Sequence, residues 1–421
     1  MAVLTKMKIE IPDFCLVVLA STDGFDTMAF AQRHFQRAEI VSLDRARELA
    51  SNGQTHVIDA PGDTFDLLQR IAGERLKRRE LTVVDAACLG TQQRARLVKL
   101  AREHHAQAFA IVLNPGEQIR AEAIEQEGFR TVIELQPAQI IDATAIERTR
   151  LAVDQRDQRG PFDIIGDVHG CADELELLLR QLGYGVTLIG DGEARGALTT
   201  APEGRRAFFV GDLVDRGPRS PDVVRIVMAM VRAGHALCVP GNHDAKFVRW
   251  LGGRQLKLTH GLDRTVAQFE DESAAFKADV KAFLEGLASH AWLADGRLAI
   301  AHAGVKEEMM GRSSGAVREF CLYGETTGEH DEFGLPVRYN WAAAYRGSTT
   351  IVYGHTPVPQ AEWLNNTLCV DTGCVFGGKL TALRWPENEI VSVPAARVYS
   401  EPIRPLGHPP VRPDRPIKST L

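Results

Sequence analysis

The stretch Asp163-Ile164-Ile165-Gly166-Asp167-Val168-His169-Gly170 sets a carboxylate and an imidazole two residues apart, between glycines, at the end of an apolar run. Four later stretches repeat the pattern: Gly211-Asp212-Leu213-Val214-Asp215-Arg216-Gly217, Gly241-Asn242-His243-Asp244, Ala301-His302-Ala303-Gly304 and Gly354-His355-Thr356-Pro357. The apolar runs before them, at 207–210, 236–240, 298–300 and 350–353, read as buried strands, and a further run at 367–370 leads into Asp371. Strands that each deliver a polar residue at the carboxyl end describe the edge of a sheet where ligands gather. Between them, residues 172–182 carry Leu175, Leu178, Leu179 and Leu182 on one helical face. Ser220-Pro221 opens a second helix, whose buried stripe is Val223, Ile226, Val227 and Met230.

A lone Asp or His after a strand is more often a cap or a satisfied polar group than a ligand. Together, these segments supply the Asp, His and Asn types that hold two divalent ions, and their glycines allow close backbone approach. In this order they resemble the binuclear metallophosphoesterases related to phosphoprotein phosphatases, whose fold is a pair of β-sheets flanked by helices. That resemblance implies that Asp167, His169 and a bridging Asp212 hold one metal, and that Asp212, Asn242, His302 and His355 hold the second. Mixed nitrogen and oxygen donors suit manganese first, with iron, zinc or nickel as alternatives, better than magnesium. Such a pair neutralises phosphate charge and acidifies a water. Arg216 is then expected to grip phosphate oxygens, with Asn242 and His243 also facing substrate. His243 is the expected general acid, and Asp215 is expected to orient its ring and raise its pKa.

Towards the amino terminus, apolar runs at 14–20, 81–85, 108–113 and 131–135, and a strand ending at 42–44, alternate with the helix-competent stretches 29–35, 65–79 and 91–104. That alternation predicts a small doubly wound parallel α/β domain over residues 10–145. The turn Ser21-Thr22-Asp23-Gly24-Phe25-Asp26 sits where a phosphate-binding loop would. Its lysine position reads Thr27 and its hydroxyl position Met28, and Asp23 and Asp26 place negative charge where phosphates would lie. The expected role is a carboxylate capping its own helix, with no ATP chemistry.

A closer resemblance, to bacterial polynucleotide kinase–phosphatase, covers almost the whole chain. It rests on residues 160–167, 322–329 (Leu322-Tyr323-Gly324-Glu325-Thr326-Thr327-Gly328-Glu329) and 371–378 (Asp371-Thr372-Gly373-Cys374-Val375-Phe376-Gly377-Gly378). It implies a degenerate P-loop kinase-like domain at 10–145 and a calcineurin-like metallophosphoesterase domain at 162–400; dense charge and Gly160-Pro161 mark 146–161 as a charged linker, and Pro-, Arg- and Lys-rich composition without apolar periodicity marks 401–421 as a flexible tail. Asp371 matches a position the family needs for phosphatase activity, Asp44 matches the kinase general base, and Asp85 stays on its strand. The arginine-bearing lid expected after Leu113 is missing, and the chain stops where a ligase-like module would start. The implied activity is hydrolysis of phosphomonoesters and 2′,3′-cyclic phosphates on nucleotides or RNA ends, with a separate RNA-repair protein as partner. The competing readings are a dinucleoside tetraphosphatase or a protein Ser/Thr phosphatase, with the amino-terminal domain as a docking module.

The bulk numbers point to a soluble cytoplasmic protein of two or three domains. The chain has 421 residues, 44% apolar and 25% charged, with a net charge of −6. That charge excludes a global nucleic-acid footprint. Seven cysteines without paired spacing speak against a disulfide scaffold. No signal peptide or membrane span is expected.

Overall fold

A computed structural model describes residues 7–21, 26–51, 61–86, 89–113, 124–136, 144–406 and 411–412. Two compact units divide the chain, Met1–Leu151 with Arg312–Ser314, and Ala152–Gly311 with Gly315–Leu421.

The first unit is built on a five-stranded, all-parallel sheet in the order Ile40–Ser42, Thr82–Asp85, Cys15–Ser21, Gln107–Leu113, Thr131–Leu135. The central strand is buried throughout, and its alternate side chains feed two separate cores. Leu16, Val18 and Ala20 pack with Leu68 and Leu97 on one side; Cys15, Val17 and Leu19 pack with Phe30 and Phe35 on the other. Burial on both faces is what turns a strand into a continuous apolar run. The strand expected to end at 42–44 stops at Ser42, and Asp44 lies in the first turn of the helix Leu43–Ser51, paired with Arg47 at 2.7 Å. Asp26 caps the helix Thr27–His34 by accepting from the Ala29 amide at 2.9 Å. Thr27 donates to the Asp85 carboxylate at 2.6 Å. Asp23, Gly24 and the missing lid after Leu113 fall outside the described residues.

One pairing corrects the expected linker at 146–161. Met7–Pro12 pairs in parallel with Thr144–Thr149, so the start of that stretch is a strand of the first unit. Arg148 is held there by the Glu39 carboxylate at 2.7 Å. Its charged side chains hide the strand from an apolar-run reading; only Ile146 packs against the core.

The second unit stacks two six-stranded sheets. One runs Ala236–Cys238, Arg206–Phe209, Phe162–Ile165, Lys379–Trp385, Asp371–Thr372, with Glu389–Pro394 also on Lys379–Trp385. The other runs Trp363–Leu364, Thr367–Cys369, Thr350–Tyr353, Leu298–Ala301, His290–Leu293, Asp154–Gln155. Phe162, Ile164, Phe208 and Val210 meet Leu293, Ile300, Val352 and Leu368 between the sheets. The helices Ala172–Gln181 and Ser220–Arg232 cover the outer face of the first sheet, and Gly315–Tyr323 that of the second. Helix, sheet, sheet, helix is thus the layering of this unit. Within each sheet the ligand-bearing strands are mutually parallel, so their carboxyl ends share an edge. Residues 401–406 differ from the expected tail: Arg404 is tied to Asp331, its Nε donating at 2.9 Å. Among the described residues, no helix is long and apolar enough to cross a membrane.

Candidate metal centre

At that edge the chain turns sharply, and the functional side chains sit on the turns. His169, Asp212, Asp215, Arg216 and His355 all hold left-handed backbone, with φ of 45°, 49°, 76°, 68° and 74°. Such conformations cost non-glycine residues about 1–3 kcal/mol each and cluster where function requires a fixed side-chain direction. Two glycines make room. A Cβ at Gly241 would lie 2.0 Å from Asp212 Oδ1, and one at Gly354 would lie 2.0 Å from Asp167 Oδ1.

Asp212 is the shared member of two donor groups. His169, Asp212 and His243 form one and Asp212, His302 and His355 the other, each with donor atoms within 4.8 Å of one another. His302 Nε2 lies 3.0 Å from Asn242 Oδ1, 3.1 Å from His355 Nδ1 and 3.4 Å from Asp212 Oδ1. His169 Nε2 lies 3.5 Å from Asp212 Oδ2. The tautomers follow from the far side of each ring. His302 Nδ1 faces the Val210 carbonyl at 3.1 Å and His169 Nδ1 faces the Val214 carbonyl at 2.9 Å, and a carbonyl only accepts. Both Nε2 atoms therefore present lone pairs to the Asp212 carboxylate. Lone pairs of imidazole, carboxylate and amide oxygen turned on one another repel unless a cation lies among them. The donor set therefore fits divalent metal, and a backbone carbonyl behind a ligating imidazole is the usual support.

Asp167 accepts from the His355 amide at 3.1 Å. Its pKa is raised by burial, then by the charges of Asp371 and Asp212. Asp371 accepts from the Gly373 amide at 3.0 Å, and burial pushes it up to about 6. Burial likewise pushes Asp212 up to about 7 and His302 down to about 3, and carries His169 and His355 well below the ordinary histidine range. Proton-free imidazoles suit ligation; the carboxylates give up protons when a cation arrives.

Beside the donors stands a second constellation. His243 Nδ1 lies 2.6 Å from Asp215 Oδ2, and Asp215 Oδ1 accepts from Thr265 at 2.8 Å. Arg216 donates to His243 Nε2 at 2.9 Å and also to His169 Nε2, with its guanidinium 5.2 Å from the Phe376 ring. Asp215 orients the His243 ring as expected of it, but the predicted rise in pKa is not found. Burial first, then Arg216, drive His243 well below its ordinary value, while burial raises Asp215 to about 7. A buried site disfavours the separated ion pair on both sides. Asp244 is structural: its carboxylate accepts from the Leu213 and Gly241 amides, each at 2.9 Å, clamping two ligand loops together.

Two participants lay outside every motif. Thr265, on the helix Leu262–Glu270, fixes Asp215 from a stretch with no chemical signature. Arg338, on the strand Pro336–Tyr339, spends Nε on the Tyr323 carbonyl at 3.2 Å. Its charge, after burial, lowers the pKa of both His302 and His355.

Residues 160–388 match the calcineurin-like phosphoesterase family, and residues 29–145 match an AAA domain. The bis(5′-nucleosyl)-tetraphosphatase PrpE [asymmetrical] of Anoxybacillus flavithermus is 47% identical over 250 residues, which are 58% of this chain and 99% of that protein. The protein of the same name from Bacillus subtilis is 43% identical over 244 residues, 57% of this chain and 97% of its own length.

Proposed function

We infer, for a chain that belongs to the calcineurin-like phosphoesterase family and is on that ground a metal-dependent phosphoesterase, that the substrate is a dinucleoside tetraphosphate. The observation that carries this is near-complete coverage of the tetraphosphatases at 43–47% identity. It favours one of the competing readings above over the RNA-end phosphatase. The electrostatics agree with it: Arg216 touches the imidazoles of the centre and the charge of Arg338 acts on His302 and His355, and positive charge of this kind suits a chain of phosphates.

In this reading Asp167, His169 and Asp212 hold one ion, and Asp212, Asn242, His302 and His355 hold the other. Manganese, iron, zinc or nickel suits these donors. When bound, the ions neutralise phosphate charge and acidify water. The chain's own groups do the rest. Arg216 turns from the imidazoles to two oxygens of the phosphate under attack, and Asn242 and His243 line its berth. Once Arg216 has turned away, its depression of His243 is relieved, so Nε2 can take a proton from solvent and pass it to the leaving oxygen, while Asp215 holds the ring at Nδ1 and Thr265 holds Asp215. Asp371 positions Asp167 rather than binding metal.

Rates on diadenosine tetraphosphate, a phosphopeptide, a 3′-nucleotide and a 2′,3′-cyclic nucleotide test the reading. The highest kcat/KM is expected on the tetraphosphate; comparable or better turnover of the cyclic nucleotide would reject it. The second reading, RNA-end hydrolysis by a relative of polynucleotide kinase–phosphatase, is favoured by the AAA match at 29–145, which a stand-alone tetraphosphatase does not need. There the amino-terminal unit serves as a docking module without ATP chemistry, because Thr27 stands at the lysine position and Asp26 occupies the helix cap.

A further inference from the structure

Two cysteines and a glutamate, none of them given a catalytic part above, meet in the core of the second unit, with the Cys171 thiol donating to the His169 carbonyl at 3.7 Å. Cys171 immediately precedes the helix Ala172–Gln181, Glu174 lies in its first turn, and Cys374 opens the short 3-10 turn Cys374–Phe376. They are buried, at 0%, 3% and 1% exposure. One donor atom from each, two sulfurs and a carboxylate oxygen, lie within 4.8 Å of one another.

The glutamate supplies an independent sign. Glu174 Oε1 is spoken for, accepting from the Ala396 amide at 2.9 Å and the Tyr399 hydroxyl at 2.8 Å. Its other oxygen, Oε2, is buried with no hydrogen-bond partner. A buried carboxylate oxygen without a partner is costly, and coordination is one of the few ways to satisfy it.

We propose that Cys171, Glu174 and Cys374 form a third metal site, separate from the Asp212 centre and selective for a soft cation, zinc foremost. Zinc–sulfur bonds of about 2.3 Å set tetrahedral donors roughly 3.8 Å apart. The three donors lie within 4.8 Å of one another. Two thiolates distinguish this site chemically from the imidazole and carboxylate centre, which prefers harder ions. Binding releases two thiol protons to solvent and forms two metal–sulfur bonds and one metal–oxygen bond, with no change of oxidation state. The ion would tie the turn after Asp371 to the helix that follows His169. The segment Ala396–Tyr399 is already held there through Glu174 Oε1.

The test uses the full chain, stripped of metal and kept reduced with a phosphine, then titrated with cobalt(II). Cobalt bound by nitrogen and oxygen gives no sulfur-to-cobalt charge-transfer absorption, so a near-ultraviolet band of that type reports thiolate ligation, and its loss in Cys374→Ser assigns it to this site rather than to the other free cysteines. The wild-type chain is expected to develop the band and to retain more than two zinc ions after dialysis. Cys374→Ser is expected to abolish it. Glu174→Gln keeps an acceptor for Ala396 and Tyr399, so it preserves the fold while removing the ligand oxygen. Its cobalt affinity at the band is expected to fall at least about tenfold, the low end of what losing even an outer-shell partner costs. Absence of the band in folded wild-type chain, or its survival in Cys374→Ser, overturns the proposal. So does Glu174→Gln binding as tightly as wild type. Loading of the Asp212 centre is counted separately, by metal retained in Cys374→Ser, so failure here leaves the phosphoesterase reading standing.

Discussion

Replacing Gly241 by alanine isolates geometry from chemistry. The residue has φ −90° and ψ 173°, which any L-amino acid adopts, so the backbone carries no penalty. Space is the whole effect. The new Cβ would sit 2.0 Å from Asp212 Oδ1 and 2.3 Å from the Asp212 amide nitrogen, whereas ordinary contact begins at 3.4 Å. Relief requires the carboxylate to retreat by the difference, 3.4 minus 2.0, or about 1.4 Å. Asp212 Oδ1 also accepts from the His243 amide at 2.9 Å, so the retreat breaks a second anchor. A misplacement of about 1 Å can cost roughly 100-fold in rate. Gly241→Ala is therefore expected to keep its circular dichroism, to bind manganese more weakly and to lose at least about 100-fold in kcat/KM. Gly196→Ala is the matched control, since a Cβ there meets nothing within 4 Å. A folded Gly241→Ala enzyme within about threefold of wild type at low manganese would refute the reasoning, because Asp212 would not be the shared ligand.

Asp215→Asn leaves His243 with a poorer partner, and kcat on a substrate with a poor leaving group is expected to fall by about 100- to 10,000-fold. An activated aryl phosphate, whose leaving group needs no proton, should be far less affected; equal losses on both would remove His243 from the acid role. The metal-free chain has a definite pH signature. Burial holds Asp212, Asp215 and Asp244 up at about 7, above their ordinary carboxylate range, so the folded form keeps protons that the unfolded form has lost. Their stabilisation is complete below about pH 4 and disappears as pH climbs through 7. Thermal unfolding of metal-free protein should therefore shift downward from about pH 5 to 8, while the stabilisation added by manganese grows over the same interval. A metal-free midpoint that rises across that range contradicts the placement of these carboxylates. Calorimetry should detect no ATP binding to the full chain, and a micromolar Kd would overturn the reading of the amino-terminal unit.

The metal-ligand candidates were legible because each follows a strand short and apolar enough to read directly, and because parallel strands bring their carboxyl ends together. His169, Asp212, Asn242, His302 and His355 are separated in sequence but follow strands of two stacked sheets whose carboxyl ends meet, whereas Asp167 falls in neither donor group and is placed by the His355 amide. What stayed hidden was long-range and carried no local pattern. Thr265 reaches Asp215 across 50 positions from an ordinary helix. Arg338 sits on a half-exposed hairpin strand and acts only through proximity. Met7–Pro12 alternates, with Ile9 and Ile11 buried, but its partner Thr144–Thr149 is largely polar and only partly buried, so nothing local marks the pairing. The direction of the His243 shift was misjudged because the Asp215 partner is evident from sequence, whereas the depth of burial and the Arg216 contact are not.

The shared carboxylate is tested most directly by electron paramagnetic resonance of the chain loaded with two equivalents of manganese(II) at the Asp212 centre. Two ions joined through one Asp212 carboxylate are expected to give an exchange-coupled spectrum, replaced by uncoupled signals in Asp212→Asn. Uncoupled manganese in the fully loaded wild-type chain, or coupling that persists without the Asp212 carboxylate, would contradict it.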